Sequence, residues 1–464
     1  MTSQSEKNVE DVRAILEDCV RMQQLAQTDF EALKEEMDPW LMLPHPSGNG
    51  SMFTSKVSSE CLWRLAERAR ASKGLERRVT LGNVKDPLQA ELVKRFISQG
   101  REIDKREVSK LLSWAAKTAQ RGCKSRTYYL PVRFTFNTEP EFVRLGPVAL
   151  MTREYAGGKL APAMREYLRV DRSKMSQKWS RKHLREGLSY YQHFKWIAEV
   201  TIIGCDADTG EKEAKKAVSS AIDLLHVILS RRNTDMLRVG GPGLSSDKQS
   251  RFVVDGEGNL SVSTSHGGFD QVGFADGWSK ELEREDIAEM FRLAGIALQC
   301  RSDITISRPM SERYLDAAMW FGEAVRDETL SSQAVKYVTA IERIVTAGKT
   351  ESIEQTVAIR TADLLFNPDD PEGWEENRQK VMQAYQLRSQ LVHGSISPYD
   401  EGVASGVSLC GDLAEELLIA TLHRFGDETL EFDRISNRQY AAWFESVREY
   451  VGTALRQLLQ EGGG

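Results

Sequence analysis

Histidine and cysteine are scarce in this chain, with seven and six copies among 464 residues, and neither type is grouped. Cys19, Cys61, Cys123, Cys205, Cys300 and Cys410 are far apart, with no Cys-x-x-Cys pair and no nearby His. That spacing argues against a zinc site and against a disulfide framework, so the expectation is a reducing cytoplasm with no metal and no cofactor. Long apolar runs are missing too. None approaches the ~20 residues of a bilayer-spanning helix, and the polar start from Met1 to Glu10 does not read as a signal peptide, so no membrane partner is expected. Gly240-Gly241-Pro242-Gly243 lacks the Lys-Ser/Thr that a phosphate-binding P-loop requires and reads as a flexible turn. His45, His183, His226 and His423 show no ligand spacing, and the Ser265-His266 neighbours lack the separation of a catalytic pair.

A hydrophobic share of 41% and a charged share of 28% describe a globular chain, and its length calls for two or three domains. The net charge of −6 conceals an asymmetry. Residues 311–464 hold 14 Lys and Arg against 26 Asp and Glu, whereas residues 1–310 hold 48 against 42. The C-terminal part should repel a polyanion at long range and the N-terminal part should attract one.

The hydrophobic pattern predicts helices over 6–36, 58–73 and 86–118, with a loop after the first around Pro39, Pro44, Pro46 and Gly48-Asn49-Gly50. From residue 127 the texture turns strand-like, with candidates at 128–136, 142–150, 196–204, 251–255 and 259–263, the last two joined around Gly256 and Gly258. Residues 211–231 are helical in period. After about 305 only helical segments follow, at 311–326, 331–347, 352–366, 372–393, 403–425 and 436–460. Ser352 with Gln355 and Ser436 with Gln439 have capping-box spacing, and Gly348 and Gly394 stand where helices stop. The expected fold is α+β and multidomain: a mostly helical region 1–125, a mixed α/β sensor or substrate-binding region 126–305, and an all-α up-and-down helical bundle 306–464.

Within helix 372–393, Trp374, Val381, Tyr385 and Val392 form an apolar stripe, and Arg388 lies in it. A guanidinium on such a face needs a partner or a pocket. Ser389 and His393 are four apart on an adjacent face. Arg388 holds a phosphate with a planar fork of donors, and His393 moves a proton near neutral pH, which together equip a chain to cut RNA without a metal. Five residues turn a helix through about 500°, which leaves the two side chains roughly 140° apart, so two copies across a twofold axis would make the fuller site. Spacing alone equally fits an Arg paired with a carboxylate and a His capping carbonyls.

Residues 331–396 resemble the Apea-like HEPN domains of prokaryotes. The resemblance rests on Ala340-Ile341-Glu342-Arg343-Ile344-Val345, on Ile359-Arg360-Thr361-Ala362-Asp363-Leu364-Leu365, and on Tyr385-Gln386-Leu387-Arg388-Ser389-Gln390-Leu391-Val392-His393-Gly394. Arg388, Ser389 and His393 fill the superfamily signature of Arg, a polar residue, variable positions and His. The resemblance implies a HEPN-like bundle acting as a homodimeric, metal-independent endoribonuclease, of the toxin or abortive-infection kind used in anti-phage defence. His393 would then be the general acid or base, Arg388 would stabilise the phosphate, Ser389 would orient the pair, and Glu342 would orient Arg388. Arg360 would be a second phosphate contact, with a core-facing ion pair as the alternative. The N-terminal region would sense a phage-derived or host trigger. Members that have lost activity serve as dimerisation or binding modules, which is the competing reading.

One further stretch suits RNA. Between 165 and 185 lie Arg165, Arg169, Arg172, Lys174, Lys178, Arg181, Lys182 and Arg185, with Trp179 interleaved and Tyr190, Tyr191 and Phe194 close behind. Cations that track a backbone beside aromatics that stack on bases are the pattern of single-strand binding. Lys178, Arg181 and Lys182 are the chosen RNA contacts, and a solvated helix face followed by a buried strand is the plain alternative.

Overall fold

The computed structural model describes residues 3–461 apart from 48, 136, 170–173, 241–246, 255–259, 268–273, 276 and 349–351. Gly241 to Gly243, the turn at Gly256 and Gly258, and Arg172 lie outside the described residues. The chain divides into two compact units, one of Met1–Arg126 with the short returns Ile202–Glu213 and Asp303–Thr305, the other of Thr127–Thr201, Ala214–Ser302 and Ile306–Gly464. Regions 126–305 and 306–464, read apart in the sequence, thus fall almost wholly within the second unit.

The first unit opens with α1 (Gln4–Thr28), where Ser3 and Glu6 exchange hydrogen bonds in a capping box. The continuous helix expected over 6–36 is broken at Asp29, whose carboxylate accepts the Ala32 N–H and so caps α2 (Phe30–Glu36). The proline-marked loop is instead an antiparallel ribbon of β1 (Met37–Pro44) and β2 (Ser51–Ser55). Each strand of a two-stranded ribbon has a free edge, so a proline without an N–H is tolerated there. Next come α3 (Lys56–Ala71), α4 (Leu81–Leu92) and α5 (Lys105–Arg121). The run expected over 86–118 is interrupted by a π-type turn, Val93–Ser98, and by Gly100. Val12, Ile15, Leu62, Leu65, Leu88 and Leu111 form the core. Buried Asp18 ties the ribbon to α3: it accepts the Ser55 N–H at 2.8 Å, the Ser55 hydroxyl at 2.8 Å and the Ser58 hydroxyl at 2.6 Å.

In the second unit a five-stranded sheet has the order β4-β5-β6-β3-β7, from β3 (Lys124–Arg133), β4 (Phe142–Leu145), β5 (Val148–Thr152), β6 (Trp196–Cys205) and β7 (Arg238–Val239). Between β5 and β6 the chain makes two helices, α6 (Arg153–Arg169) and α7 (Lys174–Tyr191). Period-2 alternation sorts the sheet: Trp196, Ala198, Val200 and Ile202 are buried on one face, while Ala149, Met151 and Ile197 meet Ala156 of α6 on the other. After β6 comes α8 (Ala207–Ile228), and β8 (Asp247–Val254) and β9 (Leu260–Gly267) form a separate hairpin. Gly146, at φ +56°, turns β4 into β5 directly against Gly295 of α9 (Glu285–Ser302), where an added Cβ would come within 2.5 Å of that backbone.

From residue 309 the chain is helical: α10 (Pro309–Val325), α11 (Leu330–Val345), α12 (Ile353–Leu364), α13 (Gly373–Val392), α14 (Glu401–Glu431) and α15 (Asn437–Glu461). Tyr314, Phe321, Ile341, Val357, Leu417 and Phe444 are buried among them. The protein is therefore α+β, with sheets in its N-terminal part and an all-helical C-terminal part. Ser436 and Gln439 do form a capping box. Ser352 does not, because it adopts a left-handed conformation at φ 56° and its side chain caps nothing.

Candidate functional site

Helix α13 buries Val381 and Ala384, with Trp374 and Tyr385 half-buried beside them. The Trp374 indole N–H donates to Asp363 Oδ1 at 2.9 Å. The apolar stripe expected on this helix holds through Tyr385 and fails at Val392, which is 52% exposed. There the helix stops in a Schellman turn. Gly394 takes φ +71°, its N–H donates to the Leu391 carbonyl at 3.3 Å, and the Ser395 N–H donates to the Gln390 carbonyl at 2.8 Å.

Arg388 sits one turn before that stop and is half-buried. Its Nε is shut away from solvent without a hydrogen-bond partner, and its guanidinium carbon lies 5.8 Å from the centre of the Tyr385 ring. Glu342 of α11 lies within electrostatic reach of the Tyr385 phenol. Burial first, and then the charge of that carboxylate, push the phenol pKa up, while Arg388 opposes the shift. Glu342, Tyr385 and Arg388 thus form one cluster across α11 and α13. Glu342 makes no ion pair with Arg388, contrary to the direct orienting contact expected; its charge acts on the phenol of the ring beside the cation. Sequence reasoning placed Tyr385 in the stripe but gave it no role, although its position three before Arg388 was the available signal.

Ser389 is half-buried and His393 is exposed, and neither side chain makes a hydrogen bond among the described residues. The His393 N–H donates to the Ser389 carbonyl at 3.0 Å, which fixes the backbone and leaves the imidazole free in solvent. Five residues advance a helix by about 7.5 Å and turn it through about 500°, which directs the Arg388 and His393 side chains roughly 140° apart.

Arg360 has a different setting from both readings made of it. It donates to the Val345 carbonyl at 2.8 Å and lies 4.6 Å above the Phe444 ring. Arg313 donates to the Arg343 and Thr346 carbonyls, each at 2.8 Å, and the Tyr440 hydroxyl donates to Ile344. Two guanidinium groups and a phenol therefore satisfy the carbonyls that end α11, where the helix dipole is negative. Burial pulls the Arg360 pKa down from the usual arginine value. The expected RNA contact is a structural cap here, facing a partly polar cavity of about 380 Å³ between α12 and α15.

Lys178, Arg181 and Lys182 all lie exposed on α7. Trp179 is 55% exposed, with Lys182 5.7 Å above its ring and the His183 ring tilted against it at 5.0 Å. Lys182 also pairs with Glu186 at 3.8 Å, a surface contact of little energetic weight. Among the described residues no group of three or more His, Cys, Asp and Glu is placed to hold a metal ion, and no helix is long and apolar enough to cross a membrane. Set against family models, curated proteins and solved structures, the chain matches none.

Proposed function

We propose that the C-terminal helical part is a HEPN-type endoribonuclease module, working as a homodimer without a metal. One observation carries this reading: Arg388 has a buried Nε bonded to nothing, and five residues on stands the exposed imidazole of His393. A buried polar atom left unsatisfied in a folded protein calls for an explanation, and an incoming phosphate oxygen supplies one. His393 accepts the proton of the RNA 2′-hydroxyl as that oxygen attacks phosphorus. The bond to the 5′-oxygen breaks, and the leaving oxygen takes a proton from imidazolium. The products are a 2′,3′-cyclic phosphate and a 5′-hydroxyl. Arg388, propped on Tyr385, stabilises the charge on the phosphate oxygens, and Ser389 aligns the phosphate.

Two chains complete the cleft, since Arg388 and His393 of one chain diverge. Val392 and Tyr399, 52% and 95% exposed, flank His393 and supply the apolar contact between the copies. RNA is gripped by the basic face of α7, because the C-terminal part is strongly acidic. A role in phage defence, with the N-terminal region restraining activity until a phage-derived or host trigger arrives, extends the same reading. The second reading, a dimerising module that binds RNA or a ligand without cutting, draws on the divergence of Arg388 and His393.

Purified protein incubated with RNA in EDTA tests the choice. Cleavage with cyclic-phosphate ends is expected, and His393→Ala and Arg388→Ala each lose it by a factor on the order of 10²–10⁴ with the fold intact. Binding without cleavage by the wild type would select the module, and activity surviving in either variant would remove the assigned roles.

A further inference from the structure

Helices α6 and α7 are unusual in how little they bury. Ala156 is the only buried residue described on α6 and Ser180 the only one on α7. Their facing stripes, Leu160 and Met164 on one and Leu184 and Leu188 on the other, line a cavity of about 460 Å³ instead of closing on each other. Tyr129 and Ile197 of the sheet form its floor. Gly157 and Gly187 also line it, one on each helix, and an added Cβ at either would meet nothing within 4 Å. Glycine inside a helix costs about 1 kcal/mol relative to alanine, so two glycines facing one void keep space open at the expense of stability. The volume falls in the range of small-molecule sites.

The polar groups divide by position. At the sheet end they are engaged: Arg153 donates to the Gln192 carbonyl at 2.6 Å and to Glu154 at 2.8 Å, and the Tyr191 hydroxyl donates to the Tyr129 carbonyl. The opposite end, about 12 Å along α6 from Ala156, holds Met164 and His183. Arg181 and Arg185 do not line the cavity; they stand three residues before and one after Leu184 on α7, and neither makes a hydrogen bond or ion pair among the described residues. Residues 153–191 carry ten Lys and Arg against four Asp and Glu. An apolar slot whose polar groups at the base are engaged, set in a helix pair rich in cations, fits a ligand with an apolar body and a negative head.

We propose that this cavity binds a single-chain amphiphilic anion, a fatty-acid-like carboxylate whose chain lies between α6 and α7 and whose head meets Arg181 and Arg185. The site shares Arg181 with the proposed RNA face, but its test reads ligand displacement and requires no RNA cleavage. Displacement of 1-anilinonaphthalene-8-sulfonate from the full chain tests it, with dodecanoate, dodecanol and inorganic phosphate as competitors. Dodecanoate is expected to compete best. Gly157→Leu with Gly187→Leu fills the slot with better helix formers, weakening dodecanoate at least tenfold without lowering the thermal midpoint. If the double variant melts early, Gly187→Leu alone carries the test. Arg181→Gln with Arg185→Gln weakens dodecanoate several-fold and leaves dodecanol unchanged. Undiminished binding to the filled variant, or dodecanol competing as well as dodecanoate, overturns the proposal.

Discussion

At the scale of single residues, the clearest polar commitment in the molecule is Asp18. Burial alone would raise its pKa, but the hydroxyls and N–H of Ser58 and Ser55, with Arg21, outweigh that and hold the carboxyl below its ordinary value of 3.8. A depressed carboxyl stabilises the fold fully above that ordinary value and loses the stabilisation as pH falls through the folded one. Asp18→Ala strands the Ser55 and Ser58 donors and should cost about 2–4 kcal/mol in urea unfolding at pH 7. The cost should shrink as the buffer is taken below pH 4, and a difference independent of pH would contradict the network. Arg388 makes the opposite contrast, since its Nε has no bond to lose. Arg388→Ala should therefore leave the unfolding midpoint nearly unchanged while abolishing cleavage, which separates a functional cation from a structural one such as Arg360.

At the scale of elements, α7 carries the proposed RNA contact. Its exposed cations beside Trp179 are arranged for backbone contact with base stacking. Replacing Lys178, Arg181 and Lys182 with Gln should weaken RNA binding and flatten the log–log salt dependence by roughly one unit per lost phosphate contact. Unchanged affinity and slope would mark α7 as a merely solvated face. The period of this segment is legible in the sequence, but the hairpin it makes with α6 is not, because the stripe that would ordinarily pack shut faces a cavity. Helix α13 is legible nearly to the residue, since Gly394 marks its stop and the Schellman turn follows from glycine's freedom at positive φ. The ribbon β1–β2 is not, because prolines that suggest a loop are also tolerated at a free strand edge.

For the whole molecule, assembly is the deciding question. Arg388 and His393 of one chain stand apart, so activity should follow dimer formation. Val392→Glu with Tyr399→Glu puts charge at the proposed contact and should yield monomers in sedimentation velocity, with cleavage falling in step. A monomeric wild type that cuts RNA would disprove the two-chain cleft. The acidic C-terminal part also means that removing the basic α7 face and breaking the dimer should impair activity separately, one through affinity and the other through turnover.

The sequence by itself determined the helices after residue 305, most of the strands from 127 onward, the charge asymmetry and the Arg388-x4-His393 spacing, because periodicity, capping residues and composition are local properties. It read 142–150 as one strand where Gly146 turns β4 into β5, and it missed β7. Only the tertiary structure decided that Glu342 stands near Tyr385 without pairing with Arg388, that Arg360 caps α11, and that α6 and α7 leave a cavity open. Each depends on which side chains from distant segments meet, and neither propensity nor spacing encodes those meetings.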